Sequence, residues 1–244
     1  MREILEKDYI VDSRDSDMFG YLRTSSLLGF MQDIATNHAA DLGISRETLM
    51  EGYGAFWMMT RMWLRLNRPI GAFERVTIRT WHRGAHSATV HRDFDILAGE
   101  GAVGEAVTNW IIIGRESRRI LKPAAVAEFA ASVSPQKTKD IRPGKIVAPE
   151  GMNVCATRTV RYSDTDINGH MNNAGYADIA CDSAGMAELE CAYVSEMQIG
   201  YLSECFPGEE IIILKGERDG DIYVSGVDDV GKSRFDVRLK LSEK

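Results

Sequence analysis

The densest run of chemically active side chains is Asp164-Thr165-Asp166-Ile167-Asn168-Gly169-His170-Met171-Asn172-Asn173. A histidine flanked by carboxylates and amides can move a proton or hold a water. The plainer alternative is a turn in which Asn172 or Asn173 caps a following helix, and spacing alone does not separate the two. Glu204 is the second candidate. It ends an apolar strand, and a carboxylate placed there needs a partner, a role His170 can fill. Its neighbour Cys205 is a candidate nucleophile, with a buried and inert thiol as the alternative. A divalent ion has ligands on paper in Asp164, Asp166, Asn168 and His170, but no bidentate glutamate closes the loop as a calcium site requires. His38, His82, His86 and His91 form no HxxxH or HExxH pair, and no GxSxG elbow is present. The expectation is of no metal and no cofactor.

The elements that must position these groups follow from periodicity. Before the loop, residues 154–161 are strand-like, and after it residues 173–187 can be helical. Strands then fit 192–202, 209–218, 221–228 and 234–241. The first part of the chain has the same order. A short strand at 9–12 leads through a polar turn to a helix capped by Ser25 or Ser26 and ending near Asp41, with Gly43 closing it. From Ala55 the period changes to 2: Phe56, Met58, Thr60, Met62, Leu64 and Leu66 share one parity, and Trp57, Met59, Arg61, Trp63 and Arg65 the other. Strands follow at 74–83, 87–97 and 102–114, and a short helix at 123–131. Residues 132–152, rich in proline and glycine, read as a linker.

A shift of 149 residues sets Asp15, Asp17 and Gly20 on Asp164, Asp166 and Gly169, and a shift of 136 sets Gly71–Glu74 near Pro207–Glu210. The shared order of strand, loop, helix and antiparallel strands marks a duplication. Each copy is an α+β unit, one helix against a curled antiparallel sheet, with residues 1–131 and 153–244 as the two units. Where the second loop has Asn168, His170 and Asn172, the first has Phe19, Tyr21 and Arg23. A loop needed only for turning has little reason to diverge so far in polarity, so the expectation is one equipped site and one structural relic.

The 244 residues carry 29 basic and 36 acidic side chains, a formal charge of −7, with 44% hydrophobic and 27% charged residues. That balance excludes a disordered chain and a general nucleic-acid binder. Four cysteines without metal-ligand spacing, and an N-terminus lacking a secretory apolar segment, lead us to expect reduced thiols and a cytoplasmic protein without a membrane anchor.

The pattern Asp166-x-Asn168-x-His170-x-Asn172-Asn173-x-x-Tyr176, followed by Glu204-Cys205, resembles the acyl-acyl-carrier-protein thioesterases, in their compact bacterial form. The resemblance extends to Asp17–Arg23 leading into Gln32-Asp33-Ile34-Ala35, to Thr80-Trp81, and to Trp110 in the segment ending Arg118-Arg119. It implies a double (tandem) hot-dog fold, each half an antiparallel sheet wrapped around a long helix. It also implies hydrolysis of a fatty acyl thioester carried on acyl carrier protein, releasing the fatty acid and ending chain elongation. Asp166, Asn168, His170 and Glu204 match the family's catalytic positions, and Cys205 matches a cysteine once proposed there as nucleophile. On this reading Glu204 and His170 activate water, Asn168 positions the water or the carbonyl, and Asp166 fixes the loop. Backbone N–H groups near 173–175 stabilise the oxyanion, with Asn172, Asn173 and Tyr176 around the substrate.

Two further expectations concern the partner. Arg61 and Arg65 share parity on one strand, and Arg75, Arg79 and Arg83 on the next. If those strands are adjacent, the arginines form a basic stripe, either a solvated face or a dock for the acidic carrier. Met31, Phe56, Trp57, Met58 and Met62 are candidate walls of a slot for the acyl tail, each also an ordinary core residue. The competing functions are an acyl-coenzyme A thioesterase, a dehydratase on the same fold, and a non-catalytic acyl-binding module. Hot-dog units normally pair, so a chain with two is expected to be a monomer or a homodimer.

Overall fold

Alternating side chains build the strands, and their order shows how the two copies meet. The computed structural model describes residues 3–134 and 139–244. In chain order the first half holds β1 (Leu5–Ile10), α1 (Thr24–Asp41), α2 (Arg46–Tyr53), β2 (Ala55–Leu66), β3 (Arg75–His86), β4 (Thr89–Ala98), β5 (Gly101–Gly114) and β6 (Ile120–Leu121). The second holds β7 (Asn153–Thr159), α3 (Gly175–Ala184), α4 (Met186–Cys191), β8 (Ala192–Tyr201), β9 (Glu210–Arg218), β10 (Asp221–Val227) and β11 (Ser233–Glu243). One antiparallel sheet runs β1-β3-β4-β5-β2-β8-β11-β10-β9-β7, with the short β6 paired to β5. The order of the second half mirrors that of the first, as the expected double hot-dog requires.

The halves join through β2 and β8. Arg61 pairs with Gly200, Trp63 with Gln198 and Arg65 with Glu196. A shift of 135 residues (63 to 198) carries this register onto itself, so the seam is a local twofold axis centred on Trp63 and Gln198. Met62, Leu64, Met197 and Ile199 are buried along it, and they belong to one core that continues through both halves. Helix α1 packs on β1 and β3, α3 packs on β10 and β11, and the two helices touch. Each pairing strand at the seam has lost an open edge.

Several local expectations change. The second repeat is offset by 135, not 136: Val11 N–H bonds Glu74 O while Val160 N–H bonds Glu209 O, and Phe73 N–H bonds Val11 O while Gly208 N–H bonds Val160 O. This sets Phe73 on Gly208, and both have positive φ, 67° and 88°. The alignment slips by one because phenylalanine occupies a position that favours glycine. Strand β2 is not uniform in parity. A bulge between Met59 and Arg61 reverses the faces, so that Trp57 and Met59 share the inner side with Met62 while Phe56 and Met58 lie on the outer one. Helix α1 starts at Thr24 behind Arg23 with no side-chain cap, so neither Ser25 nor Ser26 caps it. Helix α2 is unanticipated, although Ser45 caps it through the Thr48 N–H and Gly54 ends it in a left-handed conformation. Residues 123–131 give only two short 3₁₀ turns, and Gly185, at φ 110°, divides the expected second helix into α3 and α4.

Of the expected linker, residues 135–138 lie outside the described residues. The part from 139 to 152 crosses the outer face of the sheet. Lys139 pairs with Asp95 and Glu105, Asn109 donates to Pro143 O, Gln198 to Gly144 O, and Arg218 to Val147 O. No helix among the described residues is long and apolar enough to cross a membrane.

His82 faces inward from β3, opposite Arg92, with Nδ1 3.1 Å from Ser132 O and its ring edge-on to Phe129. Burial, with Arg92, His38 and His91 nearby, pushes its pKa down to about 3. The unfolded chain binds this proton near pH 6.5, so the neutral ring's contribution is complete above that value and is lost as pH falls toward 3. The melting temperature is expected to fall between pH 6.5 and 5, and His82→Gln to flatten that slope in a thermal-denaturation series.

Candidate active site

The loop before α3 is built from its backbone, and the loop before α1 repeats it. Asp166 N–H bonds His170 O (3.1 Å), Gly169 N–H bonds Asp166 O (3.0 Å) and Asn172 N–H bonds Asp164 O (2.8 Å). The first loop has the equivalent bonds from Asp17 to Tyr21 (2.7 Å), Gly20 to Asp17 (3.2 Å) and Arg23 to Asp15 (2.9 Å). In each, the aspartate side chain accepts the N–H two residues on, from Asn168 at 2.8 Å or Phe19 at 2.9 Å, and Asp17 accepts that of Tyr21 as well. In each, a glycine turns at positive φ, 79° for Gly169 and 83° for Gly20. Asp166 is therefore spent on loop geometry, as Asp17 is. Asp164 is held by Arg158 and by the Arg161 N–H, and this lowers its carboxyl pKa against the opposing effect of burial.

A bond from Met171 N–H to Cys205 O (2.8 Å) ties the loop to the strand connection after β8. His170 and Glu204 flank that bonded pair, so residues 34 positions apart leave the backbone at neighbouring points. The equivalent bond in the first half runs from Leu22 to Ile70, also 2.8 Å. Where the second half presents Asn168, His170, Glu204 and Cys205, the first presents Phe19, Tyr21, Pro69 and Ile70. The scaffold is shared, and at these four positions the histidine, the carboxylate and the thiol occur in the second copy alone. The rings of Phe19 and Tyr21 instead lie under the Lys244 ammonium, at 4.7 and 4.5 Å.

The His170 Nδ1 lies 3.0 Å from Met171 O. It donates there, which leaves Nε2 as the basic nitrogen. Glu204 is partly exposed and has Arg118 as its ion-pair partner at 3.6 Å, while Arg234 donates to its carbonyl at 2.8 Å. No hydrogen bond or ion pair joins Glu204 to His170 among the described residues. Asn168 is exposed at the loop tip. Of the N–H groups at 173–175, Ala174 is bonded to Asn172 Oδ1 and Gly175 to Asn172 O, so Asn172 closes the turn that leads into α3. The Asn173 N–H has no acceptor among the described residues, and neither has that of His170, whose counterpart in Tyr21 is held by Asp17.

Cys205 is fully buried. Burial raises its thiol pKa despite a hydrogen bond with Tyr176 and the nearby Arg234. Tyr176 is itself buried, edge-on to Tyr201 and Phe235, so it supports the site from beneath and does not line it.

A narrow apolar cleft with a cavity volume of about 20 Å³ lies between the loop and the first half. Asn173, Ala174 and Tyr201 form the end nearest the loop. Leu28, Met31, Gln32 and Ala35 of α1, Met59 and Met62 of β2, and Phe94, Thr108 and Trp110 form the rest. Trp110 Nε1 bonds Thr108 Oγ1 at 2.8 Å, which satisfies its one polar atom and leaves an apolar ring face. Across from Thr108 in the sheet is the buried Arg92, bonded to His38 Nδ1 at 2.9 Å. Of the five expected walls, Met31 and Met62 are present. Phe56 and Met58 fall outside because of the bulge in β2. Trp57 packs into a satellite core under α2, its Nε1 donating to Ile44 O. Met59 was missed because strict alternation puts it on the other face.

The expected arginine stripe does not form, because β4 and β5 lie between β3 and β2. Arg65 pairs with Glu105, Arg75 with Asp8, Arg79 with Glu6 and the buried Arg83 with Asp93. Arg61 alone of the five has no partner among the described residues.

Replacement of His170 or Asn168 by alanine is expected to lower kcat by ~10²-fold or more. The same change at Tyr21 or Phe19 is expected to shift melting temperature or tail binding, with kcat little altered. Steady-state kinetics beside thermal melts check the asymmetry.

Comparison with known proteins agrees with this architecture. Residues 2–129 match the family described as acyl-ACP thioesterase N-terminal domain, and residues 151–240 its C-terminal domain. A palmitoyl-acyl carrier protein thioesterase of Gossypium hirsutum is 24% identical over 237 residues, covering 89% of this chain and 55% of the relative. The chain spans about half the length of the curated relatives it matches. An acyl-ACP thioesterase from Bacteroides thetaiotaomicron superposes with a TM-score of 0.91 at 20% identity, covering 98% of both chains. The 12:0-ACP thioesterase from Umbellularia californica superposes with a TM-score of 0.87 at 16% identity, covering 100% of this chain and 99% of that one. These structural likenesses establish the fold, and the two matched domains cover both halves: the chain belongs to the acyl-ACP thioesterase family.

Proposed function

We propose that this protein hydrolyses fatty acyl thioesters of acyl carrier protein in the cytoplasm, releasing the free acid and ending chain elongation. The observation that carries the reading is the cleft: an apolar slot lined mainly by the first half reaches Asn173, three residues from His170 in the loop of the second half. The tail lies in the slot and the thioester carbonyl reaches the loop. Glu204, with His170 Nε2, takes a proton from water as its oxygen bonds the carbonyl carbon. The Asn173 and His170 N–H groups receive the developing oxyanion. Asn168, at the exposed tip, positions the water or carbonyl. Collapse of the tetrahedral intermediate breaks the C–S bond, and the proton returns to the departing thiolate. The burial of Cys205 and its raised pKa support attack by water over attack by the thiol.

A thiol-release assay comparing acyl carrier protein and coenzyme A substrates over several chain lengths tests the proposal. Release from the carrier substrate supports it, whereas release from coenzyme A alone, or unchanged thioester after prolonged incubation, overturns it. Cys205→Ala and Cys205→Ser are expected to keep most turnover, and Glu204→Ala to remove nearly all of it. A covalent acyl adduct mapped to Cys205 by intact mass, with both cysteine variants folded and inactive, would assign the attack to the thiol. Each two-carbon step in the slot is worth about 1.6 kcal/mol, roughly 15-fold. Met59→Trp is therefore expected to move the chain-length optimum toward shorter acyl groups.

A further inference from the structure

The hairpin joining β5 to β6 carries Arg115, Arg118, Arg119 and Lys122 against the single acid Glu116, on a chain whose net charge is −7. All five residues are exposed. Elsewhere the arginines of the sheet are mostly neutralised by carboxylates, as at Arg65, Arg68, Arg75, Arg79, Arg83 and Arg238. Arg115, Arg119 and Lys122 have no ion-pair partner among the described residues.

The position of the hairpin is as informative as its charge. Arg118 reaches from the first half to Glu204 of the second, at 3.6 Å, so the cationic tip overhangs the groups assigned to chemistry. Its backbone has φ 52°, a left-handed conformation that disfavours a residue with a Cβ. The turn is also tight. A Cβ on Gly114 would come within 2.4 Å of Ser117 Oγ, and that hydroxyl accepts the Arg119 N–H at 3.3 Å. The cations therefore sit on a tight turn that the Arg118–Glu204 pair holds next to Glu204.

We infer that this hairpin is the docking surface for the protein part of the substrate, an acidic carrier domain whose carboxylates meet Arg115, Arg119 and Lys122 while its thioester arm enters at Glu204. The inference rests on the proposed hydrolysis of carrier-bound thioesters and adds where the carrier sits. Charge complementarity at an exposed rim acts on encounter, so its signature is in KM and in salt dependence.

The test uses the full chain with three substrates bearing one acyl group: acyl-pantetheine, acyl-coenzyme A and acyl carrier protein. Wild-type turnover of the carrier substrate above that of the other two tests the parent reading by itself. The charge-reversed variant Arg115→Glu/Arg119→Glu/Lys122→Glu, checked for an unchanged melting temperature, tests the dock. The KM for acyl carrier protein is expected to rise at least 10-fold and to lose its salt dependence, with kcat and acyl-pantetheine turnover unchanged. An unchanged carrier KM in the folded variant overturns the inference while leaving the parent reading intact. An equal loss on acyl-pantetheine overturns it too, since the hairpin would then act on the chemistry. A rise confined to acyl-coenzyme A overturns it in favour of the coenzyme's phosphates. Should the triple variant fail to fold, Arg119→Gln and Lys122→Gln separately are each expected to raise the carrier KM by a few-fold, and no rise in either overturns the dock.

Discussion

The pairing of β2 with β8 is the constraint on which everything else depends. It turns two half-covered sheets into one, and with Met62, Leu64, Met197 and Ile199 buried on its inner side the two cores become continuous. A register slip of β8 by one residue would turn Met197 and Ile199 outward while Met62 and Leu64 stayed inside, and α1 and α3 would lose their common floor. The seam also brings the slot of one half to the loop of the other. On the proposed reading neither half contains a complete site: the apolar lining comes mainly from α1, β2 and β5, and His170 and Glu204 come from the loop before α3 and the connection after β8.

Duplication explains how one scaffold supports two tasks. The two loops share backbone bonds, the aspartate that closes the turn and the glycine with positive φ, so the architecture places no demand on the remaining side chains. Free of that demand, one copy carries Asn168, His170 and Glu204, the groups to which the proposed reaction assigns its chemistry. In the other, Phe19 and Tyr21 stack beneath Lys244, and Pro69 and Ile70 replace Glu204 and Cys205. The same logic separates Asp166 from its neighbours: the N–H it accepts two residues on is matched in the first loop by the bond from Phe19 to Asp17.

Electrostatics follows the strand order. Arginines on β2 and β3 are close in sequence but are separated by β4 and β5, and their cross-strand carboxylates neutralise most of them. Residues 139–152 cover much of the outer face that such a stripe would have occupied. Unneutralised positive charge near the site is left on the β5–β6 hairpin.

Local pattern was enough for the strands, the first helix, the duplication and the divergence of its two loops, because side-chain period and turn-forming residues act over a few positions. Short-range pattern marked Asn168 and His170 as one cluster, and the family resemblance joined Glu204 to them. Other features depended on contacts distant in sequence. The bulge at β2 is set by its pairing with β5, so Met59 replaced Phe56 and Met58 on the inner face. The position of Phe73, where glycine would be easier, concealed the true offset of 135. Strand order decided which arginines were neighbours, and packing beneath α3 put Tyr176 and the Cys205 thiol in the core. The sequence alone determined which groups were available and which copy held them. The tertiary structure decided which of them face one another, because side-chain direction in a sheet is set by pairing partners that no local pattern encodes.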